Sequence, residues 1–141
     1  VVIITIGALC WFKDLKRFFA IVSKCMKPGA DIIINEQHPC TNMLATEGDD
    51  LYNPEHRIEC RYSYFEHEWT GNEGMYYMTL KSYHSKTFTD FSHSMSEIVS
   101  GMCENGIVIT GLQEFDYDIS GGFTDINHSG YPLSMIIQGK K

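Results

Sequence analysis

What the chain lacks narrows its chemistry first. It has no excess of basic residues: 18 acidic side chains stand against 11 basic ones, a formal net charge of −7. That weighs against nucleic acid as the main partner, because phosphate binding needs a positive surface. Lys13, Lys16, Arg17, Lys24 and Lys27 lie close together, but on a helix they form its solvated face. No apolar run reaches the length of a membrane span, and Val1 to Ile6 is too short for a signal-peptide core. We therefore expect a soluble, cytoplasmic protein with no membrane partner. The five cysteines, Cys10, Cys25, Cys40, Cys60 and Cys103, are odd in number, widely spaced and without a CxxC. They suggest reduced thiols rather than a disulfide framework or a cysteine zinc site. HExxH and GxSxG are both missing, so hydrolase chemistry finds no support. One group offers metal ligands: Glu66-His67-Glu68 with His84 or His93. Alternation along a strand would turn His67 away from Glu66 and Glu68, and we expect no metal.

What is present is an α/β pattern in 141 residues, enough for one domain. Val1 to Ile6 is a continuous apolar run, which suits a strand covered on both faces. Leu15, Phe18, Phe19, Val22, Cys25 and Met26 follow a helical period, with Asp14 as N-cap and Pro28-Gly29 as the stop. Asp31 to Glu36 reads as a second buried strand, completing a βαβ unit. Ligands in such sheets gather outside the carboxyl ends of the strands, here Gly7-Ala8-Leu9 and Glu36-Gln37-His38.

Residues 37–57 read as a long loop with a short helix near Met43-Leu44-Ala45. An aromatic hairpin follows, with strands at Tyr62–Trp69 and Met75–Tyr83 and a turn at Thr70–Gly74. A second helix spans about Phe91 to Glu104, with Ser94 and Glu97 at capping-box spacing. Ile107–Leu112 and Leu133–Ile137 read as further core strands. The Gly121-Gly122 loop between them carries no helical signal, so they should be antiparallel neighbours.

Several stretches, in order, resemble the C-terminal half of the class I S-adenosylmethionine (SAM) dependent methyltransferases. Ile4-Thr5-Ile6-Gly7-Ala8-Leu9-Cys10-Trp11 is similar to the family's fourth strand and following loop. Lys27-Pro28-Gly29-Ala30 resembles its turn before strand five, and Glu36-Gln37-His38-Pro39 resembles the "E-x-H-P" that ends strand five in one subgroup. The helix, Asn105-Gly106 and the strand ending in Leu112-Gln113-Glu114 resemble its strand-six unit. The resemblance implies a partial doubly wound, Rossmann-like sheet, mostly parallel with an antiparallel last strand, plus a β-hairpin insertion as lid over roughly residues 40–90. The full family order would be 3-2-1-4-5-7-6. It implies SAM as cofactor and methyl transfer to a small-molecule substrate.

No GxGxxG or GxGxG occurs in the chain. A start at strand four would leave strands one to three and the cofactor loop outside it. The expectation is a truncated fragment, inactive alone, with an exposed first strand that favours a homodimer. The rival reading is a non-enzymatic α/β module that binds a partner or dimerises.

The resemblance also assigns roles, each beside a plain structural reading. Gly7, Ala8 and Leu9 would face the cofactor's sulfonium, or form an ordinary strand-to-helix turn. Trp11 would cover the adenine or substrate pocket, or anchor the helix as a core aromatic. His38 would contact substrate or act as general base, with Glu36 orienting it; otherwise it is an idle loop histidine. Tyr64, Trp69, Tyr83 and His84, with Glu66, would line the substrate lid, or pack on their own hairpin.

Overall fold

The computed structural model of the chain describes residues 1–65, 68–76 and 81–141. Four strands make the main sheet: β1 (Val2–Ile4), β2 (Asp31–Gln37), β5 (Val108–Phe115) and β6 (Ser134–Lys140), in the order β1-β2-β6-β5. β1 and β2 pair in parallel, with Ile3 opposite Ile33. β6 runs the other way between β2 and β5, placing Ile137 between Ile34 and Leu112. The expected antiparallel last strand is therefore present. Because it lies inside the sheet, it makes two antiparallel seams against one parallel one, and the sheet is mixed rather than mostly parallel.

Helix α1 (Leu15–Cys25) starts where the sequence places it, with the Asp14 carboxylate accepting from the Arg17 N–H at 2.9 Å. Helix α2 (Met95–Cys103) carries the expected capping box between Ser94 and Glu97. It begins later than expected, because Phe91 still belongs to a strand. Leu15 and Phe19 of α1 meet Ile98 and Met102 of α2 over Ile32, Ile34, Met135 and Ile137 of the sheet. Phe19, Ile32, Met102 and Ile137 are fully buried there. Alternation turns Ile33, Asn35 and Gln37 to the opposite face, where they are half-buried. Among the described residues both helices cover one face, so the doubly wound arrangement is not what these elements form. Val1 and Ile3 are 80% and 63% exposed, against the expectation of a strand covered on both sides.

The hairpin is displaced from its expected register. Its strands are β3 (Glu68–Tyr76) and β4 (Lys81–Phe91), so Thr70–Gly74 is strand and not turn. The glycines are used for proximity. A Cβ on Gly71 would come within 2.6 Å of the Phe88 ring, and one on Gly74 within 2.4 Å of the Tyr83 ring. Cross-strand rings seated over glycines hold this register, which bulges between Gly71 and Glu73. The 37–57 stretch is a loop as expected, with a 3-10 turn at Pro39–Met43 rather than at 43–45. Among the described residues no helix is long and apolar enough to cross a membrane.

Candidate functional site

The carboxyl ends of β1 and β2 open on a cleft of about 60 Å³. A 3-10 turn at Leu9–Trp11, the end of β2 and the 91–93 segment before α2 form its walls. Leu9, Cys10, Glu36, Gln37, His93 and Ile98 line it.

Glu36 organises the cleft. Its carboxylate accepts from the N–H groups of Gly7 at 2.7 Å, Ala8 at 3.1 Å, Leu9 at 3.4 Å and Gln37 at 3.0 Å. Gly7 has φ +75°, a left-handed conformation that favours glycine and turns these amides toward β2. Glu36 thus touches the backbone assigned to the cofactor, and His38 has other partners. His38 Nδ1 accepts from the Cys40 N–H at 3.1 Å, capping the 3-10 turn. Its Nε2 lies 2.7 Å from Glu114 Oε1. An Nδ1 that accepts leaves the proton on Nε2, so this is a neutral imidazole donating to a carboxylate. Both ring nitrogens are engaged.

Cys10 donates its thiol to the Gly7 carbonyl at 3.3 Å. Burial, with the negative charges of Asp90 and Glu36, pushes that thiol up to about 11, so it stays protonated and is a poor nucleophile. His93 is 8% exposed, and its Nε2 is buried without a hydrogen-bond partner. Burial holds its imidazole below the ordinary histidine range, while Glu97 and hydrogen bonding to the Phe12 and Leu9 backbone pull the other way. Asp90 Oδ1 is also buried and unpartnered, and burial raises that carboxyl.

The remaining expected residues lie outside the cleft. Trp11 is 54% exposed and sets its ring edge-on to Phe88, 5.7 Å between centroids, tying the 3-10 turn to β4. The Tyr64 hydroxyl accepts from the Met95 N–H at 2.9 Å, at the start of α2. Trp69 packs edge-on against Tyr62 at 4.6 Å. Tyr83 covers Gly74, and His84 lies opposite Glu73 in the hairpin register. Glu66 and His67 lie outside the described residues, and among those described no group of three or more His, Cys, Asp or Glu could hold a metal ion. The sequence reading missed His93 and Cys10 as cleft residues, and Glu114 as the partner of His38. Glu114 was open to the strand-end rule, since it sits near the end of β5.

No protein-family model and no curated protein matches this sequence. Solved structures do. A methyltransferase candidate of the S-adenosylmethionine dependent class from Listeria monocytogenes matches with a TM-score of 0.62 at 14% identity. An S-adenosylmethionine dependent methyltransferase from Mesorhizobium loti matches at 0.54 and 11%, and one from Methanosarcina mazei at 0.52 and 13%. Each match covers 99% of this chain but only 58–61% of the other. Over nearly its whole length, the chain has the α/β fold of the SAM-dependent methyltransferases, and it spans about three-fifths of the length of these structures.

Proposed function

We propose that this chain is the acceptor-side part of a SAM-dependent methyltransferase acting on a small molecule. The observation that carries the reading is the sheet order β1-β2-β6-β5, with β6 reversed, together with a cleft at the carboxyl ends of β1 and β2. Ligands of open α/β sheets bind at that edge. Methyl transfer is a displacement that depends chiefly on positioning, so a fixed loop beside a small cleft suits it.

The described residues do not fit the whole cofactor. Small-molecule sites run to about 300–1,000 Å³, and this cleft holds about 60 Å³. The Gly7, Ala8 and Leu9 amides are committed to Glu36. No step through SAM is therefore assigned to these residues. Their part is to fix the loop after β1 and to present polar atoms to the acceptor. His38 enters as a positioning group: it holds Glu114, which is 54% exposed, at the rim of the sheet.

The test is equilibrium dialysis with labelled SAM, on this chain and on a chain extended with the reading frame upstream of Val1. We expect the extended chain to bind and this one not to bind. A frame that begins at Val1, with no SAM bound, overturns the reading. The exposed first strand supports a second reading, association of two copies through β1. Among the described residues β1 pairs on one edge alone, and Val1 and Ile3 are bare.

A further inference from the structure

His38 makes two bonds with one ring, and a second proton is compatible with only one of them. In the neutral ring Nε2 carries the hydrogen that faces Glu114 Oε1 at 2.7 Å, and Nδ1 accepts from the Cys40 N–H at 3.1 Å. An imidazolium has two donors and no acceptor. Charging His38 therefore keeps the Glu114 bond, now charge-assisted, and removes the Cys40 bond. The ring stays with β5 and the turn lets go.

The bond that is lost caps the 3-10 turn at Pro39–Met43. Short 3-10 turns have few hydrogen bonds, of poor geometry, and this one is a junction. The Tyr131 hydroxyl donates to the Cys40 carbonyl at 2.9 Å, and the Asn42 amide donates to the His93 carbonyl at 3.4 Å. The Met43 carbonyl accepts from the Arg61 and Tyr62 N–H groups at 2.7 and 3.2 Å. Pro39 and Asn42 also line the cleft. The turn thus forms one wall of the cleft and moors the loop before the hairpin.

Other ionisable groups meet the turn. Burial holds the Cys40 thiol above its ordinary range and pushes the Tyr131 hydroxyl up to about 12, so both stay neutral as acid is added. Cys60 donates its thiol to Met43 Sδ at 4.0 Å. Glu36, two residues back on β2, is committed to backbone amides. Burial keeps the His93 imidazole below the histidine range. Of these side-chain types only histidine ordinarily changes charge between about pH 5 and 8.

We propose that His38 is a pH switch on the cleft wall: neutral, it caps the Pro39–Met43 turn and holds the wall in place; protonated at Nδ1, it uncaps the turn and loosens the wall. This does not rest on the methyltransferase reading, and failure of an extended chain to bind SAM would leave it standing.

Nuclear magnetic resonance on the full chain, titrated from about pH 8 to about pH 5, tests it. At the alkaline end the His38 ring should show a protonated Nε2 and a bare Nδ1. As Nδ1 takes its proton, the Cys40 amide should shift with the same midpoint. Protection of the Cys40, Leu44, Arg61 and Tyr62 amides, taken against the intrinsic exchange rate at each pH, should fall about fivefold with it, the fold-change of one lost cap. Amides of α1 should keep theirs. His38→Asn retains an accepting oxygen but cannot titrate, so its Cys40 amide should no longer follow pH in this range. Should that variant fail to fold, the wild-type spectra still decide. A proton on Nδ1 at the alkaline end, a ring that stays neutral throughout, or a Cys40 amide that ignores the His38 midpoint overturns the proposal. So does a Cys40 shift with no loss of protection at Leu44, Arg61 and Tyr62. A loss shared by α1 assigns the change to unfolding, and a His38→Asn chain whose Cys40 amide still titrates assigns it to His93; either result overturns the proposal as well.

Discussion

Glu36 collects four backbone N–H groups on one buried carboxylate. Glu36→Gln keeps one accepting oxygen but points an NH₂ at donors. We expect it to cost about 1–3 kcal/mol, since buried donors lose their partner. Urea denaturation should show a lower midpoint with an unchanged slope. Asp118 performs a related task in the loop before β6. Burial raises its carboxyl, but hydrogen bonds from the Ser120 hydroxyl and from the Phe123, Ser120 and Gly121 amides outweigh that and hold it below the ordinary value of 3.8. A depressed folded pKa contributes stability that is present above the unfolded value and is lost as pH falls through the folded one. Acid titration followed by circular dichroism should therefore show Asp118→Asn losing less stability than the wild type as pH falls below about 4. Both residues show where sequence reading stops. Glu36 and Gly7–Leu9 were legible as site residues because strand ends attract ligands. That they bind one another was not, because the contact spans 27–29 positions. His93 was legible only as a remote metal ligand, since nothing in FSHSM tells which ring is buried.

At the scale of elements, local signals were reliable where capping and period decided the structure. Asp14 and Ser94 both cap as their spacing predicts. Ser94→Ala removes the acceptor for the Glu97 N–H and should cost about 1 kcal/mol, with faster amide exchange in the first turn of α2. Glycine misled where tertiary packing decided. Gly71 and Gly74 signal a turn by composition, yet they lie in β3 because the Phe88 and Tyr83 rings need the space. Gly139 is the same device in the main sheet. A Cβ there would meet Ile107 at 2.8 Å, Met102 at 3.0 Å and Ile32 at 3.1 Å. Gly139→Ala should destabilise by about 1–3 kcal/mol through overpacking, read as a lower melting temperature. The same substitution at an exposed glycine would not reproduce it.

For the whole molecule, the strand order was the most legible feature and the covering of the sheet the least. Two strands with a glycine loop between them read as antiparallel neighbours, and they are. An apolar run such as Val1 to Ile6 reads as doubly covered. Hydrophobicity reports what a strand would bury, not which layer is present to bury it. The bare edge has a measurable consequence. Light scattering on a sizing column should show mass rising with protein concentration, and Ile3→Lys should return the chain to monomer, because a charge on an edge strand blocks pairing. A wild-type chain that stays monomeric at all concentrations overturns the β1 association.

β6, late in the sequence yet inside the sheet, also governs the order in which the molecule can come into being. β2 and β5 never touch; each meets its neighbour only through β6. During synthesis the segments before β6 can form helices and the hairpin, but the two halves of the sheet have nothing to join them. Lys141, directly after β6, then fastens the α1–β2 corner, exchanging main-chain bonds with Gly29 and Ala30 and setting its ammonium on the Ser23 and Met26 carbonyls. Such distant contacts form slowly. Until β6 has been made and has docked, the core between the two halves stays open, and that interval is when a chaperone would matter most to the yield.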